Sequence, residues 1–165
     1  MTPSLATPPS ACTTANSVAA DAPRPRVAEG AGSTVIPCLR YRDAAAAIDW
    51  LCLAFGFERH AVYRDGDTIR HAQLILGGGM VMLASADIDS PWGRLVAQPA
   101  ETGMRVSQGV CVVVPDVDAH YARALAAGAV IALDIADQGS GGRGYACRDP
   151  EGHLWWFGSY DPWTD

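Results

Sequence analysis

The sequence predicts an α/β (α+β) fold built from one β-α-β-β-β module used twice. Three observations carry this. Two helical patterns open on an aspartate and stop at a glycine, Asp43 to Gly56 and Asp116 to Gly128, residues 13 and 12 positions apart. Each follows a short apolar strand pattern. Each is in turn followed by three more strand patterns separated by turn formers.

Residues 1–32 are rich in Ala, Pro, Ser and Thr and lack the basic start and apolar core of a signal peptide, so a disordered tail is expected. The first module, residues 33–90, begins with a strand over 34–41. Asp43 then caps a helix whose Ala47, Ile48, Leu51, Cys52 and Phe55 recur at helical spacing, and Gly56 stops it. Strands follow at 57–64, 69–76 and 80–84, joined by Asp65-Gly66-Asp67 and Gly77-Gly78-Gly79. A linker over 91–106 leads to the second module, residues 107–163. There a strand at 108–114 precedes a helix carrying Val117, Tyr121 and Leu125 on one face, and strands at 129–134, 143–148 and 153–159 complete it.

Composition narrows the function. The 165 residues are 49% hydrophobic, enough for a packed interior. A formal net charge of −6 disfavours nucleic acid or an anionic membrane as partner. No apolar run reaches the roughly 18 residues of a membrane helix. All 12 basic residues are arginine, which removes a Schiff-base, phosphate-binding or general-base lysine. The five cysteines, Cys12, Cys38, Cys52, Cys111 and Cys147, are scattered and odd in number. They read as reduced thiols of a cytoplasmic protein.

Near the end runs RDPEGHLWWFG, Arg148 to Gly158, a polar turn breaking into three aromatic residues. With YRDAAAAIDWLCLAFGFE, RHAQLILGGGMVML, GVCVVVPDVDAHYARALAAGA and GGRGYACRDPEGHLWWFGSYD, it resembles the vicinal oxygen chelate superfamily of glyoxalase I, bleomycin-resistance proteins, fosfomycin-resistance enzymes and extradiol dioxygenases. Within it, the chain looks closest to the glyoxalase-like branch associated with phosphonate operons. The resemblance implies two modules pairing into an open cup, and homodimers. In metal-using members it also implies ligands from the first strand of each module and from a glutamate on the last strand. Those places hold Ile36, Gly109, Trp156 and, in the first module, Met82. None offers the nitrogen, carboxylate or thiolate that a divalent ion needs, so neither metal nor cofactor is expected.

If Ile36 and Gly109 face the cup, as the resemblance implies, strand alternation places Cys38 and Arg40, and Cys111 and Val113, on the same side. Cys38 and Cys111 are either small buried hydrophobes or, with Cys147, a soft-metal or redox set. His71 and Gln73 share the face opposite Ala72, Leu74 and Leu76. They either meet a ligand or do acid/base work there, or form a solvated or internally bonded strand face. His60, His120 and His153 read as structural or solvated. Gly77-Gly78-Gly79 is a hairpin turn, and Gly139-Ser140-Gly141-Gly142 a loop at the cup mouth. Arg143 beyond it, with Arg40, could hold an anionic group. A cup lined by Trp156, Tyr145, Trp92, His71, Gln73, Arg40 and Arg143 suits a small molecule.

The first expectation is therefore a metal-independent protein that binds an aromatic or amphipathic small molecule, anionic or neutral, in the cup. The alternative is a lyase, isomerase or dioxygenase with a displaced metal site using His71 and cysteine thiolates. A third is a scaffold whose cup is filled by its own side chains.

Overall fold

A computed structural model describes residues 32–86, 89–139 and 141–164; the expected tail over 1–32 lies almost wholly outside them. The helices form where their caps and apolar spacing place them. Helix α1, Ala44–Phe55, starts where the Asp43 carboxylate accepts the Ala46 N–H at 2.9 Å. Its Ala47, Ile48, Leu51, Ala54 and Phe55 turn inward. Gly56 ends it with φ of +81°, a left-handed conformation costly for any side chain. Helix α2, Val117–Ala126, repeats the plan, with Asp116 accepting the Ala119 N–H at 2.9 Å.

Strands β1 (Cys38–Tyr41), β2 (Glu58–Asp65), β3 (Thr68–Leu76) and β4 (Gly79–Ser85) form one sheet in the order β1-β4-β3-β2. Strands β5 (Val110–Val113), β6 (Val130–Asp137), β7 (Arg143–Arg148) and β8 (Leu154–Gly158) form the other, ordered β5-β8-β7-β6. In each, the first strand runs parallel to the last and the other pairs are antiparallel. The registers match as well, Cys38 opposing Met82 and Cys111 opposing Trp156. Strand β1 is shorter than expected because Pro37 has no N–H to give the ladder; only its carbonyl joins, accepting Met82 N at 2.9 Å. Among the described residues the two sheets share no ladder with each other.

A single core joins the helix-side faces of both sheets. Phe55, at the end of α1, crosses between the modules, its ring centroid 5.3 Å from Trp155 and 4.6 Å from Phe157. All three are fully buried. Each such aromatic contributes roughly 2–3 kcal/mol by removal of apolar area from water.

Polar groups fix this joint. Arg123 donates through Nε to Ala54 O at 3.0 Å and through Nη2 to Phe55 O at 2.9 Å, satisfying carbonyls that the end of α1 leaves open. His120 Nε2 lies 3.1 Å from Phe55 O and its Nδ1 2.7 Å from the Tyr145 hydroxyl. A carbonyl only accepts, which assigns the proton to Nε2 and makes Nδ1 the acceptor of the tyrosine O–H. Burial, with the Arg123 charge as a smaller cause, lowers the His120 pKa to about 4.

A second seam closes on the turn between β7 and β8. Tyr41 donates to Asp149 Oδ2 at 2.7 Å, and Trp155 Nε1 to the same oxygen at 3.1 Å. The other oxygen accepts the backbone of Glu151 and His153. Glu151 accepts the N–H groups of Arg42 and Asp43, both at 2.8 Å. Both acids of the DPEG turn hold the chain together.

Candidate functional site on the open faces

Alternation gives each sheet one face in the shared core and one open face. On the first sheet, Cys38, Met82 and Gln73 are in register across three strands. His71 opposes Tyr63, and their rings stack with centroids 6.0 Å apart. The Gln73 amide nitrogen is 3.1 Å from His71 Nε2. An amide nitrogen only donates, so the imidazole accepts here and carries its proton on Nδ1. Arg40 belongs to the same face and is buried, 8% exposed.

On the second sheet the open row is Cys111, Trp156, Ala146 and Leu133. Gly144 and Gly158 oppose each other across β7 and β8, and the half-buried Trp156 indole lies over them. A Cβ on Gly144 would stand 2.7 Å from Trp156 Cζ2, and one on Gly158 3.1 Å from Nε1. Glycine inside a strand marks such a close approach. Trp156 Nε1 makes no hydrogen bond among the described residues. The outcome is a braced aromatic platform with an unused donor. Around it Val113, Val130 and Leu133 are 49%, 61% and 59% exposed.

The structure separates other residues that the sequence groups with this site. Tyr145 does not line the open face. The β7–β8 register pairs it with Phe157, so it points into the core, fully buried, and its pKa rises through burial. Arg143, in phase with Tyr145, lies on the helix side, with Nε on Asp118 of α2 at 3.1 Å and Nη1 on Asp137 at 2.9 Å. An anion would have to displace two carboxylates. Trp92 stands 59% exposed in the linker, with no ring contact to Trp156 among the described residues. Cys147 cannot act with Cys111, because it faces the core on the opposite side of the sheet; burial pushes its thiol up to about 12. Cys38 and Cys111 are exposed rather than buried.

The expected metal positions do not fit a divalent metal. Met82 and Trp156 share the open faces with Cys38 and Cys111, and neither side chain is a ligand for a divalent ion. Among the described residues no group of three or more His, Cys, Asp or Glu side chains converges. The Nε2 lone pair of His71 is taken by Gln73. The glycine floor was visible in the sequence as Gly144 and Gly158 within strand patterns. What the sequence withheld was their pairing across the hairpin.

Two mixed four-stranded sheets, each built β-α-β-β-β, define a glyoxalase-like fold. Residues 32–157 match the Glyoxalase/Bleomycin resistance protein/Dioxygenase superfamily, and the chain belongs to it. It is similar to TioX from Micromonospora sp. ML1, with 38% identity, a TM-score of 0.60, and coverage of 77% of this chain and 98% of that one. An uncharacterized protein of Mycobacterium tuberculosis (strain ATCC 25618 / H37Rv) is 36% identical over 123 residues, 74% of this chain and 71% of its own length. The fosfomycin resistance protein FosX from Listeria monocytogenes, solved with Mn(II) and a dihydroxypropylphosphonic acid, shares the fold alone. Its identity is 15%, its TM-score 0.55, and the match covers 77% of this chain and 89% of that one.

Proposed function

We propose that the protein binds a planar aromatic or amphipathic small molecule on its open face, against Trp156, without a metal ion. The indole braced over Gly144 and Gly158 carries this reading. Its lower side is occupied by backbone, so its upper side is presented to a ligand, with Nε1 as a directional donor. Cys111 and Leu133 border the ring, and the Gln73–His71 pair supplies the polar groups of the first sheet's face. Arg40 lies in the strand of that face and is buried; Arg143, on the helix side of the second sheet, is committed to Asp118 and Asp137.

The exposed Val113, Val130 and Leu133 around Trp156 support closure of the cup by a second copy, as a homodimer. A cytoplasmic setting agrees with free thiols at Cys38 and Cys111. Placement near the glyoxalase-like branch associated with phosphonate operons is part of the same proposal, and its support is the resemblance carried by the four stretches quoted from the sequence. A fluorescence screen of planar aromatic compounds tests the reading. Saturable quenching that disappears in Trp156→Leu is expected. Quenching unchanged by that substitution, or a stoichiometric, tightly held ion in purified protein, would overturn it.

A further inference from the structure

The open face of the first sheet carries three sulfur-bearing side chains at adjoining positions. Met80 and Met82 flank Val81 on β4, and Val81 is turned into the core, 3% exposed, so both methionines stand on the open face. Across the parallel pair β1–β4, Cys38 is the register partner of Met82. Neighbouring strands lie about 4.8 Å apart and alternate residues of one strand about 7 Å, separations that flexible thioether side chains can close. Met80 and Met82 are half-buried, and Cys38 is exposed. The thiol's only hydrogen bond among the described residues is a weak one, 3.7 Å to the Ile36 carbonyl of its own chain segment. The ligand reading above rests on Trp156 of the other sheet and makes no use of these three residues.

The donor set decides which ion fits. Hard divalent cations need oxygen ligands, and the register neighbours here are Gln73 opposite Met82, Ile75 opposite Met80 and Ala84 opposite Arg40. The Gln73 amide is already engaged with His71. A thiolate with two thioethers is a soft set, and such ligands select Cu(I). On binding, the ion replaces the Cys38 thiol proton, which passes to solvent, so the filled site carries no net charge. The second sheet supplies an internal comparison. Cys111 occupies the place equivalent to Cys38, but its register partner is Trp156, and no thioether stands beside it.

We propose that Cys38, Met80 and Met82 form a three-sulfur site for a soft monovalent ion, Cu(I).

The test offers Cu(I), kept reduced by ascorbate under nitrogen, to the full chain in competition with the chromogenic chelator ferrozine. Wild type should withdraw one equivalent, and Cys38→Ser should lose it. Met80→Leu and Met82→Leu nearly conserve volume, so each should bind at least about tenfold more weakly with urea stability little changed. Cys111→Ser and Trp156→Leu should bind copper as wild type does, so this proposal and the ligand reading fail separately. X-ray absorption of the loaded protein should count three sulfur neighbours. Ag(I), as a stand-in, should move the methyl signals of Met80 and Met82 and leave that of Met104 in place. The proposal is overturned if wild type leaves the copper with ferrozine, if both methionine variants keep wild-type affinity, or if Cys111→Ser loses copper as Cys38→Ser does.

Discussion

Acid should loosen the joint between the modules through one residue, His120. Its imidazole is 5% exposed and neutral, donating to Phe55 O and accepting from Tyr145. In the unfolded chain it titrates near 6.5, and in the fold near 4. The folded pKa is the lower one, so the fold prefers the neutral ring. The stabilisation is complete above about pH 6.5, declines as pH falls through the window to 4, and is fully lost below it. At 1.36 kcal/mol per pH unit, that difference amounts to roughly 3 kcal/mol, of which about 2 are gone by pH 5. Urea unfolding at pH 7.5, 6, 5 and 4.5 measures it. His120→Gln, which keeps a donor and an acceptor but cannot titrate, should start less stable and lose about 2 kcal/mol less than wild type between pH 7.5 and 5. A wild type as stable at pH 5 as at 7.5, or equal losses in both proteins, would refute the reasoning.

Other expectations follow from the same geometry. Trp155→Ala should cost about 3–5 kcal/mol in urea unfolding, because the side chain is fully buried against Phe55 and Phe157. Asp149→Asn leaves one acceptor fewer for Tyr41 and Trp155, and about 2–3 kcal/mol of stability should disappear, read as a lower urea midpoint at constant slope. Gly144→Ala should dislodge the indole of Trp156, weakening aromatic ligands about tenfold while costing about 1–3 kcal/mol of stability by overpacking.

The fold was legible because local signals agreed. Asp43 and Asp116 cap where caps were expected, and Gly56 stops α1 in the left-handed conformation its position predicts. The pairing of Cys111 with Trp156 comes from the register of β5 against β8; alternation sufficed to put His71 with Gln73. It failed for Tyr145, since only the register of β7 against β8 decides that Ala146, not Tyr145, stands beside Trp156. Arg143 was misplaced for the same reason: it lies in phase with Tyr145, and its partner Asp118 comes from another element. The joint was invisible because His120 meets Phe55 and Tyr145 across 65 and 25 residues of sequence. Periodicity reports which way a side chain faces within its own element, and says nothing about contacts between modules.

Trp155 and Trp156 are adjacent and face opposite ways, the first fully buried in the core and the second half-buried on the open face. The most direct measurement is the affinity of a planar aromatic ligand, found by fluorescence screening, for wild type and for Trp156→Leu, with urea stability measured on both. The account predicts at least about a tenfold loss of affinity with stability changed by less than about 1 kcal/mol. Undiminished binding in Trp156→Leu, or a substitution that lowers stability and leaves affinity intact, would contradict it.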